Sequence, residues 1–312
     1  MRFGFVADVP WWALYRNGAG LRKYHGTEHS WEVVTLRDLT QAGKSLALYD
    51  LVVFGSVPVY VQAPRSLDRA VITCASFRDA QMKVLASTGT GDELSVLSKL
   101  SNLDVAALVI NDRRMTPLVV EHGFPVVYHP DKVDPDVFYP SQGSSSNGKL
   151  RVGWAGSDAH WPGVKNVDII KASAEAAGVE LVLQRREVEG LKTASEMRTW
   201  YSSLDIYVSA NIELTPTPVP VLEALACGVP VITTRCGGAW RIVEAFEPAF
   251  VLAEPTELEL IRALTYARRL GSGRLKRKGT AMGRVATSQL TWLDGSAELF
   301  TRTMEALCHQ KL

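Results

Sequence analysis

The segment that decides the fold runs from Glu213 to Gly238 and reads ELTPTPVPVLEALACGVPVITTRCGG. Its prolines fix φ and keep the preceding residues extended, so the chain is stiff until a helix begins near Pro220. That helix is short, because Gly228 suits the left-handed position that follows a helix C-terminus. DIYVSA before the loop and VPVITT after the helix predict buried strands, and this order indicates a βαβ unit.

The same alternation of strand and helix patterns extends along the whole chain. In order, the predicted strands are RFGFVAD, WEVVTL, DLVVFGS, RAVITCAS, AALVIND, PVVYHP, LRVGWAG, VELVLQ, DIYVSA, PVITT and AFVLA. Several are continuous apolar runs, which are typical of strands buried on both faces of a parallel sheet. We therefore expect an α/β protein made of two Rossmann-like, doubly wound domains.

A polar, Gly/Ser-rich segment separates the two halves. SQGSSSNGK, residues 141–149, predicts a flexible linker. We expect an N-terminal domain at 1–145 and a C-terminal domain at 146–294, with a last helix at about 295–312 that can pack back on the first domain. Two such domains would face each other across a cleft lined by the loops that follow strands.

Composition excludes several classes of protein. The 312 residues are 46% hydrophobic and 21% charged, with a net charge of +1, so no global field favours nucleic acid or membranes. The four cysteines form no C-x-x-C pair, which indicates neither a zinc site nor a disulfide framework and favours the cytoplasm. No apolar run is long enough to span a bilayer, and Asp8 interrupts the only N-terminal stretch that resembles a signal peptide.

The helix after the stiff loop also carries chemistry. A helix N-terminus directed at the cleft has unpaired N–H groups and a positive dipole end, which suit a phosphate. Glu223 lies about one turn into this helix, where its carboxylate can accept two hydrogen bonds from a ribose diol. Gly237 and Gly238 allow a ligand to approach the backbone closely. The alternative is an ordinary βαβ turn with a solvated glutamate.

LEALACGVPVITTRCGG resembles the nucleotide-sugar-binding segment of retaining glycosyltransferases of family four, which have the GT-B fold. Four more segments resemble that family: MRTWYSSLDIYVSA, HPDKVDPDVFYP, VGWAGSDAHWPGVKNVDII and LTWLDGSAELF. The resemblance is strong from about Val126 onward and weak before it. It implies an enzyme that moves a sugar from a nucleoside diphosphate sugar, such as a UDP-sugar, to a hydroxyl acceptor with retention of configuration. It implies no metal and no bound cofactor.

The resemblance gives roles to residues of the second half. Glu223 corresponds to the glutamate that binds the donor ribose, and Lys165 to the lysine that neutralises the diphosphate as charge develops on the leaving nucleotide. The family often has an arginine where this chain has Ser157. The other donor-binding residues predicted in this way are Gly156, Ser157, Thr215, Pro218 and Val219.

One catalytic position leaves two alternatives open. In the family a first glutamate precedes the second by eight residues, and Thr215 occupies that position here. If two residues are inserted before VLEA, Glu213 becomes the first, catalytic glutamate, and we favour this alignment. Otherwise the carboxylate is lost, and the hydroxyl of Thr215 contacts the sugar. A metal is not expected, because the D-x-D sequence at Asp134 to Asp136 lies inside the segment between the domains.

The loop after the first strand, DVPWWALYR at residues 8–16, should lie on the acceptor side. Asp8 is placed to act as a catalytic group on an acceptor hydroxyl. Trp11, Trp12 and Tyr15 are candidates for stacking on a sugar or a base. The alternative is that the Trp pair packs the first helix against the sheet.

A basic cluster lies late in the chain, at Arg262, Arg268, Arg269, Arg274, Lys276, Arg277 and Lys278. Its ordinary interpretation is a solvated helix end, and its functional one is docking to anionic lipid or to DNA phosphates. A carbohydrate or small-molecule acceptor is predicted. An alternative acceptor is a 5-hydroxymethylated pyrimidine in DNA, as in phage DNA glycosylation, with the base removed from the stack. A further alternative is a non-catalytic nucleotide-sugar-binding or DNA-binding protein of the same fold.

Overall fold

The computed structural model describes residues 1–8, 13–25, 29–63, 70–74, 83–85, 93–95, 105–141, 148–157, 163–212 and 218–309. It forms two compact units, one comprising Met1–Asp131 with Gly295–Leu312 and the other Lys132–Asp294. The last helix therefore belongs to the first unit. Residues 132–140 belong to the second, ahead of the boundary expected at 145. Most of the expected linker, 142–147, lies outside the described residues.

The first unit is built on a parallel sheet. Its described strands are β1 (Arg2–Ala7), β2 (Ser30–Thr35), β3 (Leu51–Phe54), β4 (Ala70–Cys74), β5 (Lys83–Leu85), β6 (Glu93–Ser95), β7 (Val105–Ile110) and β8 (Val126–Tyr128). Six of them form the sheet β2-β1-β3-β4-β7-β8, while β5 and β6 form a separate antiparallel pair that the sequence patterns did not predict. Every residue of β3 and β7 is buried, as expected for strands covered on both faces.

Short helices connect these strands. They are α1 (Ala13–Tyr24), α2 (Leu36–Thr40), α3 (Val57–Gln62) and α4 (Thr116–Glu121), with 3₁₀ turns at Leu46–Leu48 and Arg113–Met115. The capping box of α2 is complete, because Thr35 and Asp38 exchange side-chain and backbone hydrogen bonds. The apolar side chains of the strands and helices form one continuous core in this unit.

The second unit contains a parallel sheet in the order β10-β9-β11-β12-β13. Its strands are β9 (Arg151–Gly156), β10 (Glu180–Arg185), β11 (Ile206–Ser209), β12 (Val231–Thr234) and β13 (Val251–Leu252). Its helices are α5 (Val167–Ala177), α6 (Arg186–Glu189), α7 (Ala194–Ser202), α8 (Val219–Ala226), α9 (Trp240–Phe246) and α10 (Glu257–Leu290), with 3₁₀ turns at Pro248–Phe250 and Trp292–Asp294. The order reverses beside β9, which is where such sheets bind ligands.

All eleven predicted strands are present, and the prediction of two doubly wound α/β domains is confirmed. The short helix of the deciding segment is also confirmed. Pro218 is the N-cap of α8, Pro220 lies in its first turn, and Cys227 is its C-cap. Gly228 follows with φ of 73°, the left-handed conformation that the sequence predicted.

The segment TELELIRALTYARRLG, residues 256–271, predicts a helix that begins with a capping box of Thr256 and Glu259 and ends at Gly271. Thr256 accepts a hydrogen bond from the Glu259 amide at 3.3 Å, but the Glu259 carboxylate bonds the Ala253 amide at 2.8 Å, so the expected capping box is only half formed. Gly271, with φ 73° and ψ 158°, ends the first helical segment as predicted. A second segment then begins at once and continues to Leu290, because its own apolar residues pack on the same core.

The last helix, α11 (Ser296–His309), completes the first unit. It buries Ala297, Phe300, Thr301 and Met304. The indole N–H of Trp31 in β2 donates to Oγ1 of Thr301 at 2.9 Å, so a buried hydrogen bond joins the two ends of the chain. No described helix has the length and hydropathy needed to cross a bilayer.

Candidate functional site

The loops after β11 and β12 are tied together at the carboxyl edge of the second sheet. The Thr234 hydroxyl, at the end of β12, donates to the Asn211 carbonyl at 2.6 Å. The Cys236 thiol lies 3.0 Å from the Ile212 carbonyl. These bonds fix the chain directly before the segment 213–217, which contains Glu213 and Thr215 and lies outside the described residues.

A second set of bonds ties the β11 loop to the start of α5. The Ile212 amide donates to the Val164 carbonyl at 3.0 Å, and Asn166 Nδ2 donates to the Ala210 carbonyl at 2.8 Å. Asn166 is the N-cap of α5 and has φ of 52°, a left-handed conformation that asparagine tolerates better than most residues. The loops that follow β9, β11 and β12 therefore form one connected edge.

Lys165 lies on this edge, against the end of β9. Its Nζ donates to the Ser157 carbonyl at 2.7 Å. A Cβ added at Gly156 would lie 3.6 Å from this Nζ, an ordinary contact, and 3.2 Å from the Trp154 ring, so a side chain at 156 would press on the tryptophan. The structure thus brings together three of the predicted donor-binding residues, Gly156, Ser157 and Lys165.

Ser157 has a partner that the sequence did not reveal. Its hydroxyl donates to Oε1 of Glu187, a residue of α6 directly after β10. The position where the resembling family often has an arginine therefore carries a hydroxyl bonded to a carboxylate. No pattern in the sequence links these two residues, because α6 is too short to show a helical period.

Glu223 is a buried carboxylate in α8. Its residue is 2% exposed, and the Tyr201 hydroxyl donates to its Oε2 at 2.8 Å. Tyr201 lies in α7 and is itself fully buried. The alternative of a solvated glutamate in an ordinary turn is therefore wrong. Tyr201 belongs to the segment MRTWYSSLDIYVSA, and that resemblance is the one signal that could have identified it.

Two neighbours of Glu223, Tyr207 and Cys227, have raised pKa values. Burial raises the pKa of Tyr207 well above its ordinary value, and the Glu223 carboxylate adds to this effect. Burial and Glu223 likewise raise the pKa of the Cys227 thiol. The Tyr207 hydroxyl donates to the Ala155 carbonyl at 3.2 Å. Both groups therefore stay protonated at neutral pH.

The predicted acceptor-side residues are described only in part. Asp8 directly follows β1 and is half-buried, and Tyr15 lies half-buried in α1. Trp11 and Trp12 lie outside the described residues, so their stacking role stays a prediction. Both Asp8 and Tyr15 belong to the first unit.

A polar cluster that the sequence did not predict occurs in the first unit. Asp131 accepts hydrogen bonds from Asn17 Nδ2 at 2.7 Å and from Asn111 Nδ2 at 3.0 Å. Asn17 lies in α1, whereas Asn111 and Asp131 follow β7 and β8. Burial of the carboxyl group away from water raises the pKa of Asp131. The hydrogen bonds from the two amides lower this pKa, but their effect is smaller.

Other features of the second unit lie away from this edge. A pocket of about 130 Å³ is lined by Leu204, Asp205, Val229 and Pro230, which precede β11 and β12 and so mark the amino edge of the sheet. In the D-x-D sequence, the Asp136 amide bonds the Asp134 side chain at 3.0 Å in a local turn. Within the described ranges, no group of three or more His, Cys, Asp or Glu side chains is arranged to hold a metal ion.

Residues 160–267 match the model of a family described as glycosyl transferases group 1. No match was found among curated protein sequences. Sucrose-phosphate synthase from Thermosynechococcus elongatus is a similar solved structure, with a TM-score of 0.70, 14% identity and coverage of 98% of each chain. The catalytic domain of Arabidopsis thaliana starch synthase IV, bound to ADP and acarbose, gives a TM-score of 0.68 at 13% identity and 99% coverage of each chain.

Anabaena Alr3699/HepE in complex with UDP and glucose is another similar structure. Its TM-score is 0.66 at 13% identity, over 98% of this chain and 100% of that one. At these identities the likeness establishes the fold. The chain therefore has the GT-B fold, and its second unit contains a segment of group 1 glycosyltransferase type.

Proposed function

We propose that the protein is a glycosyltransferase that uses a nucleoside diphosphate sugar as donor and transfers the sugar to a hydroxyl acceptor with retention of configuration. The family-model match covers the segment that contains Lys165 and Glu223. Solved structures of the same fold carry UDP or ADP. Retention is inferred from the resemblance described above, and the anomeric configuration of the product would test it.

The observation that carries this proposal is the position of Lys165. Its amino group lies on the backbone of Ser157, at the carboxyl end of β9 and beside the reversal of strand order. A diphosphate bound at this edge would meet the ammonium group as a point charge, which suits the charge that develops on a leaving nucleotide. In this proposal Lys165, and not a metal ion, supplies the positive charge.

Glu223 is proposed to bind the donor ribose. It lies about one turn into α8, whose N-terminus follows the stiff loop after β11. Tyr201 holds Oε2 of the carboxylate, so the side chain keeps one orientation while a ribose diol approaches. Tyr201 is a positioning residue in this arrangement. Glu213 remains the proposed first glutamate, with Thr215 as the alternative, and Asp8 the proposed group near the acceptor hydroxyl.

Titration calorimetry with UDP, ADP and GDP tests the donor assignment. We expect Lys165→Met and Glu223→Gln to weaken binding of the preferred nucleotide by about 1–3 kcal/mol each, through loss of a charge-assisted contact. Lys171→Met and Glu244→Gln are matched controls, because their side chains are 42% and 40% exposed and pair with surface partners. Unchanged affinity in both test variants would contradict the assignment.

Product analysis separates an enzyme from a binding protein. Incubation of the protein with the preferred nucleotide sugar and a panel of sugars should yield a glycosylated product and free nucleoside diphosphate. The yield should persist in the presence of EDTA, because Lys165 takes the place of a metal. Tight donor binding without hydrolysis or transfer would favour a non-catalytic protein of this fold.

A further inference from the structure

The positive charge of this protein is concentrated in one stretch. Residues 260–293 contain eight lysines and arginines and no aspartate or glutamate. Because the whole chain has a net charge of +1, the remainder has a net charge of −7. The stretch coincides with α10 after its first turn. The chain therefore has a strongly polarised charge distribution that its net charge conceals.

Two of the eight cations have structural partners. Arg268 Nη1 donates to the Ala177 carbonyl at 2.7 Å and so binds the C-terminus of α5. Lys278 Nζ donates to the Phe246 carbonyl at 3.1 Å and pairs with Glu247 at 2.9 Å. These two residues satisfy helix ends, where a cation is favourable. Their presence is explained by the fold of the second unit.

The other cations lie on the outer side of α10. The buried residues of the helix are Leu260, Ala263, Leu264, Ala267, Leu275, Gly279, Met282, Gly283 and Ala286. Helical spacing places three residues opposite the buried side chains of the segment before Gly271: Leu258, Arg262 and Arg269. It places Arg277 and Arg284 opposite the buried side chains of the segment after Gly271. All five are exposed, and among the described residues no carboxylate is within ion-pair distance of the four arginines. We call these five residues the cationic face of α10.

Exposed leucines lie at both ends of this element. Leu258 is 58% exposed in the first turn of α10, and Leu293 is 64% exposed in the 3₁₀ turn that follows it. Leu258 and Arg262 are four residues apart and so are neighbours on the helix surface. The stretch has two aromatic residues: Trp292 is buried, and Tyr266 is half-buried with its hydroxyl bonded to Glu247 at 3.1 Å.

We propose that the cationic face of α10 docks the second unit onto a bilayer that contains anionic phospholipids. Arginines on the outer sides of both segments attract a negatively charged lipid surface, and leucines at the ends can enter its apolar boundary. A nucleic acid would use the arginines through its phosphates but not the exposed leucines.

Vesicle co-sedimentation tests this proposal independently of sugar transfer. The full chain is mixed with vesicles of phosphatidylcholine alone or with about one third phosphatidylglycerol. We expect binding to the anionic vesicles only, and weaker binding at high salt because exposed charges are screened. Replacement of Arg262, Arg269, Arg277 and Arg284 by Gln should lower the partition coefficient on the order of a hundredfold.

A matched variant controls for net charge. Arg22, Arg37, Lys149 and Arg302 are exposed cations elsewhere in the chain, and their replacement by Gln changes the net charge equally. This control variant should bind anionic vesicles almost as tightly as the parent protein. A second variant, with both Leu258→Ser and Leu293→Ser, should weaken the part of the vesicle binding that persists at high salt. Equal loss in both quadruple variants, or no binding to phosphatidylglycerol at low salt, would overturn the proposal. Binding of duplex DNA but not of vesicles would assign the face to nucleic acid instead.

Discussion

The Tyr201 hydroxyl donates a 2.8 Å hydrogen bond to Oε2 of Glu223, and the two residues, 22 positions apart, are both buried. The bond joins the C-terminal turn of α7 to the middle of α8. A carboxylate at this depth depends on such a donor, because a buried polar group without its partner carries the full cost of desolvation. The geometry thus couples the fold of the second unit to the proposed ribose site.

Tyr201→Phe should therefore destabilise the protein by about 1–3 kcal/mol. Urea unfolding followed by circular dichroism measures this loss. Nucleotide affinity should also fall, because Glu223 loses the contact that orients it. Tyr128→Phe is the control, since Tyr128 is 42% exposed and should change stability little. A Tyr201→Phe protein with parental stability and affinity would show that the bond has no energetic role.

Gly279 in α10 should not tolerate a side chain. A Cβ there would lie 2.1 Å from the Gly228 carbonyl oxygen and 2.6 Å from Pro230 Cδ, so backbone would have to move. We expect Gly279→Ala to destabilise by about 1–3 kcal/mol, as for other overpacked sites. Gly273→Ala in the same helix meets nothing within 4 Å and should stabilise by about 0.4–1 kcal/mol. Thermal melts of the two variants that shift in the same direction would contradict this prediction.

Asn166 should reveal the cost of its backbone conformation. Asn166→Gly loses the bond to Ala210, but glycine adopts φ of 52° freely. Asn166→Ala loses the same bond and also places a Cβ in the left-handed region, at an additional cost of about 1 kcal/mol. The difference between the two variants in urea unfolding measures this strain, and equal stabilities would indicate that the loop relaxes.

Asp131 should make the stability of the folded protein decrease as the pH rises from acidic values. Its pKa is raised in the folded protein, so between the unfolded and folded pKa values the folded state binds more protons. Its contribution to stability is therefore fully present below the unfolded pKa of about 4 and is lost as pH rises through the folded pKa. Asp131→Asn should abolish this loss.

Melting temperatures of both proteins across the acidic to neutral range test this prediction. The melting temperature of Asp131→Asn should rise relative to that of the parent protein as the pH increases. Asp205→Asn is a useful comparison, because the Asp205 carboxylate accepts the Arg151 amide at 2.8 Å in the second unit. A constant difference between Asp131→Asn and the parent at all pH values would contradict the assignment.

The sequence by itself determined the secondary structure and the class of fold. Strands buried on both faces must be continuous apolar runs, and helices between them must end at residues such as Gly228, so both sheets were visible in the hydrophobic pattern. The proposed role of Lys165 comes from the resemblance of its segment to a known family, and that of Glu223 from the same resemblance and from its place about one turn into the helix after a strand. Both lie in loops or helix starts that follow strands, and such positions occur at one edge of a parallel sheet.

Only the tertiary structure decided which side chains meet. Three side-chain hydrogen bonds show this. They join Tyr201 to Glu223, Ser157 to Glu187, and Asn17 to Asp131, the last pair being 114 residues apart in the sequence. The continuation of α10 beyond Gly271 also follows from packing, since its second segment is stabilised by the core and not by its local sequence. Local propensity and periodicity act over a few residues, whereas these contacts depend on the three-dimensional path of the whole chain, which a local pattern does not contain.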